Sequence, residues 1–172
     1  GSCIVTTPDR AADLANRPAW LWGIGECHTH EHITLAPSLT EFGAVQSGSQ
    51  AYEMAGVGPK DIDFAELYHC FTIVPIIEAE ELGLAERGSG GELFASGETA
   101  IEGRLPINTH GGLLSYAQAG ASGGIHGIVE AVRQLRGGES ARQVPKHDIA
   151  LIHNEGGVLS SHCTMILGRD KR

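Results

Sequence analysis

The sequence predicts a layered α/β domain, with a mixed central sheet and helices on both faces. Three observations predict it: β-prone runs near residues 20, 64 and 148, helix-like tracts near 46, 72 and 122, and the alternation of the two along the chain. At 172 residues the chain has the length of one domain with a real core. Its 24 glycines stand well above the usual share of ~7%, which predicts many tight loops.

Taken in order, residues 3–7 form a short β-prone run. Pro8 and Asp9 open a helical tract to residue 16, with Asp9 as cap and Ala11, Ala12 and Leu14 on one side. Residues 20–26 read as a strand with glycine breaks, and 33–40 as an irregular loop. A helix follows over 46–57, with Ala51, Met54 and Ala55 as its apolar strip and Gly56 and Gly58 ending it. A turn at 59–63 leads into a strand at 64–69. The next helix reaches Leu84, and Pro75 is tolerable only in its first turn, which sets the start near Thr72. Ile73, Ile76, Ile77 and Leu84 are its expected buried side, and Glu78, Glu80 and Glu81 its wet side.

Residues 88–103 are glycine-rich and polar and read as a loop lining a substrate entrance. The stretch 105–127 carries Gly111, Gly112, Gly120, Gly123, Gly124 and Gly127 and runs into a helix, with Ser122 as N-cap. Free backbone N–H groups and a positive dipole end there suit a developing oxyanion or a phosphate. Small residues at its start make this the helix expected to be most buried. After a connection at 137–147, two β runs at 148–154 and 158–167 flank Glu155, Gly156 and Gly157, the pattern of antiparallel neighbours joined by a turn. The tail from 168 is charged.

A net charge of −9 without a basic stripe argues against a nucleic-acid surface. No apolar run approaches the ~20 residues of a bilayer span, and no signal peptide is visible. Cys3, Cys27, Cys70 and Cys163 are widely spaced, with no CxxC pair, which predicts reduced thiols in a cytoplasmic protein. His28, His30 and His32 alternate, so on a strand all three face one way, a spacing open to zinc. No distant carboxylate cluster completes a site, and the expectation is no metal.

Asn108-Thr-His-Gly-Gly-Leu-Leu-Ser115, then Gly120-Ala-Ser-Gly123, then a helix, resembles the C-terminal half of the thiolase superfamily. The flavour is that of the sterol carrier protein x and lipid-transfer-protein type. Asp61-Ile-Asp-Phe-Ala-Glu-Leu-Tyr-His-Cys-Phe71, the tract after it, and Ala150-Leu-Ile-His-Asn-Glu-Gly-Gly157 agree in order and spacing over nearly the whole chain. The resemblance implies that residues 1–17 are the end of the thiolase N-terminal half and 18–172 the C-terminal domain. It implies an acyl-CoA enzyme that transfers acyl groups, as acetyl-CoA acetyltransferases do, or makes or cleaves a C–C bond next to a β-oxygenated carbon, in lipid or steroid side-chain metabolism. The coenzyme A thioester is then the substrate, and no further cofactor is expected. Implied partners are the N-terminal half, a second copy in a homodimer, and a zinc-ribbon/OB-fold protein. The alternative is a non-catalytic thiolase-fold subunit supporting a partner that carries the nucleophilic cysteine.

Three junctions carry chemistry in that family: an Asn or His, a histidine in a Gly-His-Pro run, and a proton-shuttling cysteine. Here Tyr68, Ala117 with Gln118, and His153 stand at those places. His153 is therefore expected to be the general acid/base, and Tyr68 the donor to a developing oxygen charge. Related steroid side-chain retro-aldolases also place a tyrosine at the Tyr68 position. Phe71, Tyr116, Gln118, Ser122, Asn154 and Gly156 are expected to line the substrate. Cys70 reads as a packed thiol, His110 as exposed and His126 as structural.

Overall fold

A computed structural model describes residues 1–116 and 118–172, without the Ala121 side chain. Its centre is a four-stranded sheet of β1 (Trp20–His28), β2 (Phe64–Leu67), β3 (Ile149–Gly156) and β4 (Ser161–Gly168), in the order β1-β4-β3-β2. β4 is antiparallel to both its neighbours, whereas β2 and β3 run parallel, so the sheet is mixed as the sequence predicts. Side chains alternate across a sheet, and the helices divide accordingly. On one face lie α2 (Ala44–Ala55), α3 (Val74–Glu81) and α4 (Gly90–Ala95), over Ala65, Leu67, Leu151 and Ile166. On the other lies α6 (Ile125–Arg136), over Phe64, Ala150, Ile152 and Leu167.

Two glycines let α2 lie directly on β1. A Cβ at Gly23 would stand 2.1 Å from the Ala51 carbonyl oxygen, and one at Gly25 2.2 Å from that of Ser47. The start of α2 is held from α3: the buried Glu81 carboxylate accepts the N–H groups of Phe42 and Ala44, which no turn of α2 could satisfy. Glu81, expected on the wet side, is thus buried by a task.

Several expectations move. No strand forms over residues 3–7, and the first helix, α1, is only Pro8–Ala11. The glycine-rich stretch 88–103 contains α4, because Gly90 must sit against the Ile76 carbonyl oxygen and the Glu80 carboxylate, and Leu93 is buried. Ser122 does not cap a helix: it lies in a tight turn, its hydroxyl donates to the Ala119 carbonyl, and α6 starts at Ile125 after Gly124. Nor is α6 the most buried helix, since residues 125–129 remain half-buried and burial sets in at Glu130, Ala131, Gln134 and Leu135.

The β3–β4 hairpin turns where expected, but Val158 lies in the turn rather than the strand. Gly157, Val158 and Leu159 all adopt left-handed φ angles, of 62°, 63° and 59°. For a branched side chain this region costs about 1–2 kcal/mol. Val158 is largely exposed, so it recovers nothing through packing. Val158→Gly is expected to raise stability by about 1 kcal/mol after the entropy cost of glycine, read as a higher urea midpoint at unchanged slope.

Candidate functional site

Because β2 and β3 run parallel, they end on the same edge of the sheet, and a recess opens there against α6. Its walls include Tyr68 and His69 after β2, Asn108 and His110 from the next loop, Asn154 on β3 and His126 in the first turn of α6. Short residues make the recess possible. A Cβ at Gly124 would stand 2.7 Å from Asn154 Oδ1, and one at Gly123 3.5 Å from the Tyr68 ring. A Cβ at Gly112, the first residue of α5 (Gly112–Tyr116), would fall 1.6 Å from His69 Cε1.

Tyr68 is half-buried. Gln118 Nε2 donates to its hydroxyl oxygen at 3.2 Å, which leaves the phenolic proton free for another acceptor. Burial pushes the Tyr68 pKa up, so the group keeps that proton at neutral pH. His69 is a fixed wall: Leu67 O and Asn108 Nδ2 each lie 3.0 Å from Nδ1, and Nε2 faces the Leu114 N–H.

Beneath the rim lies a charged cluster. Glu66, the one charge in β2, is 2% exposed, and its Oε2 stands 3.1 Å from His110 Nδ1. Glu66 Oε1 receives the Thr109 N–H at 3.3 Å. Glu130 of α6 takes the Thr109 hydroxyl at 2.7 Å, Gln134 Nε2 at 3.1 Å and Arg142 Nη2 at 3.2 Å. Burial raises the Glu66 carboxyl above its ordinary value, and His110 offsets only part of that rise. For His110, burial alone would lower the pKa, but the Glu66 carboxylate beside it wins and holds it above the ordinary value. The rings of His110 and His126 both meet Tyr116 edge-on, at centroid distances of 5.6 and 5.3 Å.

Residues 25–169 match the family described as thiolase C-terminal domain-like. The chain belongs to that family. It is 38% identical to the acetyl-CoA acetyltransferase of Methanothermobacter thermautotrophicus, over 96% of this chain and 44% of that one. It is 36% identical to the steroid side-chain-cleaving aldolase of Thermomonospora curvata, over 98% and 43%. Among solved structures, the Ltp2-ChsH2(DUF35) aldolase superposes with a TM-score of 0.83 at 35% identity, covering 96% of this chain and 43% of that one. The chain therefore spans less than half the length of the relatives it matches. Among the described residues no helix is long and apolar enough to cross a membrane.

Within this thiolase C-terminal-like domain, the structure brings Tyr68, Gln118 and Asn154 to the recess, with Tyr116 at its rim. Phe71 is largely exposed, Ser122 is tied to its own turn, and Gly156 ends β3 in the hairpin. The Ala117 half of the Ala117–Gln118 pair lies outside the described residues. The expectation for His153 needs correction. Strand alternation sends its ring to the opposite face from Asn154, where it is 0% exposed. Both nitrogens are committed there: Nδ1 to the Thr164 hydroxyl at 2.8 Å and Nε2 to His162 Nδ1 at 3.1 Å. The tautomers follow from one end of the chain. His162 Nε2 must donate to the Leu159 carbonyl at 3.0 Å, so His162 Nδ1 accepts from His153 Nε2, and the Thr164 hydroxyl donates to His153 Nδ1. Burial, then the neighbouring His162, pushes His153 down to about 3. This ring braces the hairpin turn and has no free nitrogen for substrate.

Cys70 donates to Glu155 Oε1 at 3.4 Å and is pushed up to about 11, first by burial and then by that carboxylate, so it is a packed thiol. His28 bonds Ser161 Oγ, and His30 bonds Thr29 and the Val158 carbonyl. His28 and His30 therefore serve the hairpin end, and among the described residues the candidate metal cluster does not include the run. His110, expected exposed, has a side chain only 9% exposed. Glu66 and His110 are what sequence reasoning missed. The available signal was a lone carboxylate in an apolar strand, which cannot be buried without a partner.

Proposed function

We propose that this chain supplies the donor wall of an acyl-CoA site that breaks or makes a C–C bond at a β-oxygenated carbon, by retro-aldol-type chemistry. Tyr68 carries the reading. Its hydroxyl accepts from Gln118 and keeps its own proton, which is the arrangement a thioester enolate oxygen needs for stabilisation. In such a cleavage the β-hydroxyl loses its proton, the Cα–Cβ bond breaks to release a carbonyl compound, and the thioester enolate regains a proton at Cα. No thiolate is required. That agrees with the described cysteines of the sheet region, since Cys70 and Cys163 are both pushed up, first by burial. The named lyase and aldolase relatives support the same direction, and the acetyltransferase relative keeps acyl transfer as the second reading, with the nucleophile outside this chain.

Working partners in this reading are a thiolase N-terminal half, a second copy, and a zinc-ribbon/OB-fold protein. The Ltp2-ChsH2(DUF35) aldolase is named for two components, which motivates the last of these. The chain then acts in the cytoplasm on coenzyme A thioesters without another cofactor. The test uses the active assembly containing this chain and a β-hydroxyacyl-CoA. Tyr68→Phe removes one hydroxyl and should lower kcat by about 10²-fold while the melting temperature holds. A folded Tyr68→Phe enzyme turning over at the wild-type rate sinks the proposal.

A further inference from the structure

We propose that His110, held against the buried Glu66 carboxylate, is the proton carrier of the recess. Its Nε2 takes the β-hydroxyl proton as the Cα–Cβ bond breaks, and returns it to Cα of the enolate. The step rests on the C–C cleavage reading above, and it balances: the bond pair passes to the enolate, the carbonyl product leaves, and one proton is borrowed and given back.

Four observations carry it. The ring lines the same recess as Tyr68 and Asn154. Its Nδ1 faces Glu66 Oε2 at 3.1 Å, an ion-pair distance short of hydrogen-bond alignment, and that oxygen has no other partner among the described residues. A carboxylate on Nδ1 fixes the proton there and leaves Nε2 as the basic nitrogen. Nε2 itself is buried and has no hydrogen-bond partner among the described residues. This is the condition of a group reserved for a ligand, because a buried polar atom left unpaired is costly.

The charges around His110 agree. From β2 it meets Glu66, and from the segment after it His69, whose pKa is lowered chiefly by burial. From α5 it meets the Tyr116 ring, which separates it from His126. From α6 it feels Glu130, and from the turn at 140–142 it feels Arg142. Arg142 and Gln134 already satisfy Glu130, whereas Glu66 has only the neutral Thr109 at Oε1, so among the described residues His110 is the group facing Glu66 Oε2. Glu66, His110 and Glu130 do bring ligand atoms within 4.8 Å of one another, and Arg142 Nη2 already stands 3.2 Å from Glu130 Oε2, so a cation there would compete with the guanidinium for that carboxylate.

The experiment uses the active assembly, a β-hydroxyacyl-CoA, and four variants. His110→Gln should lower kcat by about 10²–10⁴-fold with little change in KM. Glu66→Gln should lower kcat and move the acid limb of its pH profile to lower pH, because the imidazole loses the charge that holds its proton. Ring-nitrogen NMR of the unmutated and Glu66→Gln proteins should show the same downward move in the His110 midpoint, a reading that survives if His110→Gln does not fold. Wild-type kcat in folded His110→Gln, with Tyr68→Phe impaired, overturns the proton-carrier role and leaves the proposed function standing. Wild-type kcat in both removes the proposed function and this inference with it. An unmoved limb or midpoint in Glu66→Gln overturns the pairing. Stoichiometric uptake of Mn²⁺ or Zn²⁺ that Glu130→Gln abolishes makes the cluster a cation site and overturns the inference too.

Discussion

Gly112→Ala is expected to be the most damaging single methyl addition in the loop region, costing about 3 kcal/mol or more. Two independent penalties meet there. The backbone sits at φ +63°, and the new Cβ would stand 1.6 Å from His69 Cε1 and 2.1 Å from its Nε2. His69 cannot swing away cheaply, because its Nδ1 donates to the Leu67 carbonyl and the Leu114 N–H faces its Nε2. The fold can relieve the overlap only by moving α5 and the recess wall together. Gly138→Ala is the control: nothing lies within 4 Å of its Cβ position, and the φ there is not left-handed. Urea melts of the two variants should separate widely, and comparable midpoints would refute the account.

Glu78→Gln should stabilise the chain, by an amount that grows with pH. Glu78 is 1% exposed on α3, its carboxyl oxygens have no hydrogen-bond partner among the described residues, and His153 Nε2 is 3.8 Å away. Burial, then the Glu155 and Glu81 charges, pushes its pKa well above the ordinary value, so the fold keeps a proton that the unfolded chain releases above about 4.5. Its contribution is therefore fully present below that pH and is lost as pH rises toward the folded pKa. Across that window the glutamine variant should gain about 1.4 kcal/mol per pH unit relative to wild type, and almost nothing below it. His153 acts with the opposite sign: its folded pKa near 3 means stability present above 6.5 and lost as pH falls. The two slopes oppose each other between about 4.5 and 6.5, which is why the difference between variant and wild type is the quantity to measure. A gain independent of pH would show that Glu78 is ionised in the fold.

Much of the architecture was legible in the sequence because it rests on local pattern. The strand at 20–26, the helix at 46–57 ended by Gly56, and the two β runs around residues 155–157 all form within a few residues of their expected bounds. The misses have tertiary causes. Two glycines opening α4 argue against a helix until Gly90 is seen against Ile76 and Glu80. Sequence order places His153 and Asn154 together, yet consecutive strand residues face opposite ways, so only one of them reaches the recess. That alternation groups Asn154 with Tyr68 and sends His153 to the core beside Thr164. Glu66 and His110 are 44 residues apart, and no local pattern pairs them.

The loop carrying His110 is also the selvedge of the sheet. The Ala65 N–H donates to the Pro106 carbonyl, the Asn108 N–H to the Ala65 carbonyl, and the Leu67 N–H to Asn108 Oδ1, at 2.9, 3.0 and 2.9 Å. Asn108 accepts a φ of 55° to make the last of these. The amides of Ala65, Leu67 and Asn108 should therefore exchange with deuterium on the slow timescale of the core, and those of Leu113 and Leu114 much faster. One wall of the recess is thus stitched to the sheet through the main chain, while the other, at Gly112 and Leu113, belongs to α5 and carries no such ladder bonds among the described residues.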